Sequence, residues 1–339
     1  MKLTYRIKAL AAAALCVLTL GGCGMINDDL PACRTEFRLQ FVDDYNMKYS
    51  DAFAREVKSV SVWVFDSRTG APVMHTSRSG AALAEDGFYI PLELEPGEYD
   101  FHVWGGLEGQ SDFTVESENP GSIQELKMRL NATRALSVGK DIGPLFHGLL
   151  MRQSLVYDPD HDKVQTLTVP LVKDTHGLKV LLTSRDGSSL ALDGYRMELR
   201  HSNSRLDWDN SWMAADDVVH TPWSWTAADA VMPDGQGGLT TVESAALIGE
   251  ITTPRLFADK DARLVITRLS DNTDVINIPL IDYLKLVKGF YNKTMPDQEY
   301  LDRTDEWSLQ FILDQNGTWN TGGMIYINNW AVVPPQFVE

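Results

Sequence analysis

Four tryptophans, Trp208, Trp212, Trp223 and Trp225, fall in one stretch that also carries Asp207, Asp209 and Asn210. Indole faces interleaved with polar side chains can bind sugars, the rings stacking on pyranose faces while the polar groups fix hydroxyls. The plainer reading, a loop pinned to a sandwich by buried indoles, is favoured, because aromatic side chains dominate core energetics. A second candidate is DPDHDK, which sets Asp158, Asp160 and Asp162 at alternating positions, as at the start of a calcium loop. The EF-hand match then fails: the sixth position is Lys163 rather than glycine, and the twelfth is Val169 rather than glutamate. A solvated turn is the better reading. The 7 histidines are scattered, and HExxH, CxxC, nucleophile-elbow and phosphate-loop patterns are absent. Acidic residues abound, but abundance does not set the carboxylate separation a glycosidase needs. No catalytic residue, metal ligand or cofactor is expected.

The remaining chemistry is at Cys23. Lys2, Arg6 and Lys8 form a basic head, followed by an uncharged run from Ala9 to Leu20. This is the layout of a secretory signal, too short to span a bilayer. Leu20, Gly21, Gly22 and Cys23 follow in the order of a bacterial lipobox, where small residues admit the peptidase and the cysteine sulfur carries a diacylglycerol. Against the alternative of an ordinary signal peptide with a chance cysteine near its end, the favoured reading makes residues 1–22 a signal peptide and residues 23–33 a lipid-anchored linker. One acyl chain holds a protein only marginally, whereas two or more anchor it stably at about 0.8 kcal/mol per buried methylene.

The formal net charge is −17, and loss of Lys2, Arg6 and Lys8 with the leader makes it more negative still. Such a chain is repelled by nucleic acid and by anionic lipid surfaces, so no nucleic-acid partner is expected. Of the 3 cysteines, Cys16 leaves with the signal and Cys23 takes lipid. Cys33 is left without an internal partner, and the fold must rest on its core.

Positioning falls to short strands. KSVSVWVFD at 58–66 alternates Val60, Val62 and Val64 with Ser61, Trp63 and Phe65. At 88–104, Ile90, Leu92 and Leu94 alternate, Pro96 and Gly97 turn the chain, and Tyr99, Phe101 and Val103 alternate again, which predicts a hairpin. SIQELKMRL at 122–130 fits a strand or a short helix. Residues 140–165 are rich in Asp, Pro and Gly, which places a domain boundary near Lys163. Strand patterns resume at VQTLTVPLV and close with WSLQFILD and GMIYINNWAVV, while 202–240 reads as a long loop. A helix fits only locally, as at 282–291. The expectation is an all-β chain of two sandwiches, 34–163 and 164–339.

Several stretches resemble the FimB/Mfa2 family of fimbrial anchor lipoproteins from Bacteroidales: RLQFVDDYNMKYSDAFAREVKSVSVWVFDSRTG, LELEPGEYDFHVWGGL, TPRLF, QEYLDRTDEWSLQFILD and the terminal IYINNWAVV. None of these is catalytic. The resemblance implies two transthyretin-like β-sandwich domains, a non-enzymatic role, outer-membrane anchoring through Cys23, and fimbrillin stalk subunits as partners. Asp28 and Asp29 resemble the acidic tag that sends Bacteroidetes lipoproteins to the outer face of that membrane. An unpaired sheet edge can accept a neighbour's strand, which gives such a polymer its physical basis. With Cys23 holding the N-terminal end, residues 34–42 are expected to stay in place. The candidate donated strand is then Met324, Ile325, Tyr326, Ile327, Asn328, Asn329, Trp330, Ala331, Val332 and Val333. Its alternative is an internal strand with Ile325 and Ile327 in the core. The competing function is a surface glycan-binding lipoprotein of a polysaccharide-uptake system, using the four tryptophans; a surface hydrolase ranks last.

Overall fold

A computed structural model of the chain describes residues 35–133, 136–157, 164–233, 238–289, 292–319 and 324–332. The signal segment, Cys23, Cys33, Val333 and the turn of Asp158, Asp160 and Asp162 lie outside the described residues. The described chain is all-β in character, as its alternating patterns predict.

The opening strand β1 (Glu36–Val42) turns Phe37, Leu39 and Phe41 into the core. It lies between β4 (Ile90–Leu92), which is antiparallel to it, and β10 (Val164–Lys173), which is parallel to it from Glu36↔Val164 to Val42↔Pro170. The sheet continues through β9 (Phe146–Leu155), β5 (Gly97–Gly105), β2 (Ser59–Asp66) and β3 (Pro72–Ser79), giving seven strands in the order β3-β2-β5-β9-β10-β1-β4. β10 meets β9 only from Leu171↔Gly148 to Lys173↔Phe146. The two wings of the sheet therefore share one core, in which Phe37 and Leu39 meet Val62, Phe101 and Val169. Gly148 makes that close approach possible, since a Cβ there would sit 2.6 Å from Val169 Cγ1. The short helix α1 (Phe53–Glu56) adds Phe53, stacked on Phe41 with ring centroids 5.4 Å apart.

The other face of β2 and β5 is buried too. Trp63, Phe65 and Trp104 pack under a three-stranded sheet of β6 (Phe113–Val115), β7 (Met128–Leu130) and β13 (Arg205–Leu206). Residues 122–130 thus resolve into a 3-10 turn at Ile123–Glu125 followed by β7.

The second half is a sandwich. Its six-stranded sheet runs β15 (Ser224–Pro233), β16 (Leu239–Pro254), β11 (Thr175–Ser184), β19 (Glu306–Leu313), β20 (Ile325–Ile327), β21 (Trp330–Val332). Facing it are β18 (Thr273–Pro279), β17 (Ala262–Arg268), β12 (Tyr195–His201), β14 (Val218–His220) and β8 (Ser137–Val138). Leu178, Val180, Leu199, Leu264 and Phe311 fill the space between, and α2 (Leu280–Lys285) and α3 (Asp297–Arg303) add Tyr283, Leu284, Tyr300 and Leu301 to the same core.

Three expectations change. Residues 88–104 form no hairpin: β4 pairs with β1, while β5 pairs with β2 and β9, so the Pro96–Gly97 turn carries the chain from one wing to the other. Residues 164–173, read as opening the second unit, belong to the first sheet, and the hand-over falls at Asp174 between β10 and β11. The polar stretch before Val164 contains β9 and links β9 to β10 within the first half. The stretch 202–240, read as a loop, carries β13, β14, β15 and the start of β16. Among the described residues β15 pairs with β16 alone, through a bulge between Ala228 and Ala230. An edge strand with little to bury has no reason to alternate.

The halves interlock. β13 of the second half completes the first half's small sheet, and β8 of the first half completes the second half's five-stranded sheet.

Candidate fibre-joining edge and the joint between the halves

The C-terminal segment forms a β-hairpin on the edge of the six-stranded sheet. β20 pairs with β19 at Leu309↔Ile327 and Gln310↔Tyr326, and β21 folds back at Ile327↔Trp330. A two-residue turn that matches strand twist needs positive φ at both central residues, which asparagine tolerates. Asn328 and Asn329 supply it at φ 47° and 66°. The turn is pinned to β19, where Asn328 N–H donates to Ser308 O at 2.8 Å and Asn328 Oδ1 accepts from Ser308 N–H at 2.8 Å. Ile325 and Ile327 are fully buried, whereas Trp330 is 69% exposed on β21, whose outer edge is unpaired among the described residues. Beside it runs a groove of about 560 Å³ lined by Met47, Leu286, Val287, Tyr300, Trp330 and Val332. Met47 comes from the first half and is held by its N–H donating to Arg303 O at 3.1 Å. Of the expected segment, Ile325–Ile327 and Trp330–Val332 pair within the chain's own sheet when it is alone. The groove's partners just after α2, on α3 and at Met47 carry no separate signal in the sequence.

A buried polar joint ties the halves together behind this edge. Asp174, the residue between β10 and β11, is fully buried. Its Oδ1 accepts from Asn210 Nδ2 at 2.8 Å and lies 3.8 Å from Arg255 Nε. Burial pushes its carboxyl up to about 7, against the pull of Arg255. Arg255 forks onto Asp302, with Nε–Oδ1 at 2.8 Å and Nη2–Oδ2 at 2.6 Å, and also donates to Asn210 O. TPRLF and QEYLDRTDEW, far apart in sequence, thus meet through Arg255 and Asp302. Across the same interface Lys173 Nζ reaches Asp305 Oδ2 at 2.5 Å. The carbonyl of Trp208 accepts from Nε2 of both His102 (2.8 Å) and His147 (2.9 Å), which fixes a proton on each Nε2. Burial holds both rings neutral, His147 down to about 4 and His102 well below its usual value.

The four tryptophans do not assemble into a platform. Trp208 and Trp212 pack against the core under the first sheet, Trp212 Nε1 donating to Ser202 O at 2.8 Å. Trp225 packs on the second half's core and donates from Nε1 to Leu192 O at 2.9 Å. Trp223 alone of the four is an exposed large side chain, at 42%. Among the described residues, no group of three or more His, Cys, Asp or Glu is placed to hold a metal ion.

The family model for fimbrillin-A associated anchor proteins Mfa1 and Mfa2 matches residues 30–333. The chain belongs to this family. Among solved structures, a candidate adhesin from Bacteroides thetaiotaomicron is 29% identical with a TM-score of 0.80, covering 90% of this chain and 99% of its own. A candidate polysaccharide-binding protein from the same organism is 28% identical with a TM-score of 0.75, covering 89% of this chain and 99% of its own. The fimbrial anchor protein Mfa2 of Porphyromonas gingivalis shares the fold, with a TM-score of 0.62 at 15% identity over 88% of this chain and 98% of its own. No functionally curated protein matches the chain. Membership gives it a fimbrial, cell-surface role with other fimbrial subunits as partners.

Proposed function

We propose that this chain anchors and terminates a fibre of fimbrillin-type subunits at the outer membrane, held there by acylated Cys23 and joined to the fibre at its C-terminal hairpin. The observation that carries the joint is the open β21 edge, with exposed Trp330 standing over an apolar groove. An incoming strand can pair along β21 while its side chains enter the groove, as in strand addition generally. Donation of Met324–Val333 as a free strand asks for more. Withdrawing Ile325 and Ile327 costs about 2–5 kcal/mol for each buried side chain, against a total stability of about 5–15 kcal/mol for a typical protein. Addition to β21 leaves both in place, so it is the favoured form of the joint.

The two forms separate in one experiment. Gln310→Cys with Tyr326→Cys staples β20 to β19, since directly opposed residues of an antiparallel pair lie within disulfide reach. Cells carrying the oxidised staple should keep their fibres. Fibre loss under oxidation, with recovery on reduction, would instead establish donation.

The glycan-binding reading draws on the polysaccharide-binding description of one relative and on exposed Trp223. Saturable change in tryptophan fluorescence on titration with polysaccharides, abolished by Trp223→Ala, would select it.

A further inference from the structure

We infer that the two long parallel strand pairs, β1 with β10 and β11 with β19, are shear clamps set in series along the line of pull between membrane and fibre. The inference rests on the anchor reading for the direction of the load, and on strand direction for the rest. Among the described residues these are the two extended parallel pairs, running from Glu36↔Val164 to Val42↔Pro170 and from Gly177↔Glu306 to Ser184↔Leu313. The remaining parallel pair, β14 with β8, spans two positions.

A tether upstream of Thr35 pulls β1 backwards from its Glu36 end. The fibre pulls on the second half, whose connection to the first leaves β10 forwards through Lys173, Asp174 and Thr175. Because β1 and β10 run the same way, the forces act at opposite ends of their ladder and in opposite directions along it. The evenly spaced hydrogen bonds of a parallel pair must then fail together rather than one after another. Sliding β1 also drags Phe37, Leu39 and Phe41 through a packed core, while β4 holds its other edge. The second half repeats the arrangement. β11 receives the load at its Thr175 end, while the chain leaves β19, parallel to it, at Leu313 on its way to the hairpin, so the pulls along the covalent path again act at opposite ends. The polar joint around Asp174 sits between the two clamps and keeps them from turning about their one-residue link.

An antiparallel pairing of β1 with its neighbour on the load path would have placed both forces at one end of the ladder, where it unzips. The same molecule can be pulled that way. Tyr157 is exposed and follows β9, next to the start of β10, where Val156 N–H donates to Gln165 Oε1 at 3.1 Å. Handles at the native Cys33 and at Tyr157→Cys therefore open the β1–β10 ladder from its Glu36↔Val164 end.

The test is single-molecule force spectroscopy on the mature-length chain carrying Cys23→Ala. One variant has handles at Cys33 and Trp330→Cys, the other at Cys33 and Tyr157→Cys, each first shown to melt like its parent. In the first pull, opening of the first half is recognised by release of about 50 nm of chain, at roughly 3.6 Å per residue. The clamp predicts that this event needs several-fold more force than separation of β1 in the second pull at the same loading rate. Equal forces in the two pulls would overturn it. That outcome would leave the anchor reading intact, because release of the Cys23 variant from cells and the hairpin staple are judged on fibres, not on purified protein.

Discussion

At the scale of single residues, Arg255 has the most to lose. It is one cation among two buried carboxyls, and its fork onto Asp302 reaches across 47 positions of sequence. Removing one partner of a buried pair strands the other, which typically costs about 3–5 kcal/mol. Arg255→Met should therefore lower the unfolding free energy read from urea titration by that much, and Arg255→Met with Asp302→Leu should recover part of it. The buried histidines set the pH dependence. His147 and His176 are held down to about 4 by burial, so the unfolded chain, with its ordinary histidines, takes up protons first as pH falls. Their contribution is present above about pH 6.5 and is lost on the way down to about 4. Asp174 works the other way: raised to about 7, its neutral form contributes below the ordinary carboxylate range and that contribution disappears as pH rises through about 7. His147→Gln keeps a donor for the Trp208 carbonyl and removes the titration. Its melting temperature should fall less steeply than the parent's between pH 6.5 and pH 4, measured by circular dichroism. Arg255 and Asp302 were both within stretches whose type was recognisable from sequence, but nothing in either stretch says that they touch.

Elements were legible where one face is buried and the other wet. β19 and β20 alternate cleanly, with Ile325 and Ile327 buried. β2 reads as a half-buried strand, yet its second face is covered by residues that arrive from β7 and β13, a contact no local pattern encodes. The Pro96–Gly97 turn is visible in the sequence, but whether a turn closes a hairpin or changes wings depends on partners far along the chain. β15 is hidden for the opposite reason, since a strand with one neighbour imposes little pattern. The C-terminal hairpin shows what legibility is worth. Its turn residues and inward isoleucines can be read, while the groove beneath Trp330 needs Met47, Leu286 and Tyr300 from three other segments. Truncation after Gly323 removes both isoleucines and uncovers β19. It should cost at least about 4 kcal/mol, at about 2–5 kcal/mol per buried isoleucine, with the loss visible in denaturant melts. A truncated chain as stable as its parent would mean that the hairpin does not belong to this core.

For the whole molecule, the halves interlock through β8 and β13, and the question becomes what holds them to the cell. No helix among the described residues is long and apolar enough to cross a membrane. The net charge of −17 also works against adsorption to anionic lipid. Acyl chains at Cys23 would supply a tether, since two or more chains at about 0.8 kcal/mol per buried methylene hold against both charge and drag. If they do, Cys23→Ala should move the protein, with any attached fibre, from the outer-membrane fraction to the medium, while Cys33→Ala stays behind. Fractionation followed by immunoblotting of both compartments reads the result directly. Recovery of Cys23→Ala in the outer membrane would contradict the lipid tether. It would also remove the fixed end that gives the parallel strands their direction of pull.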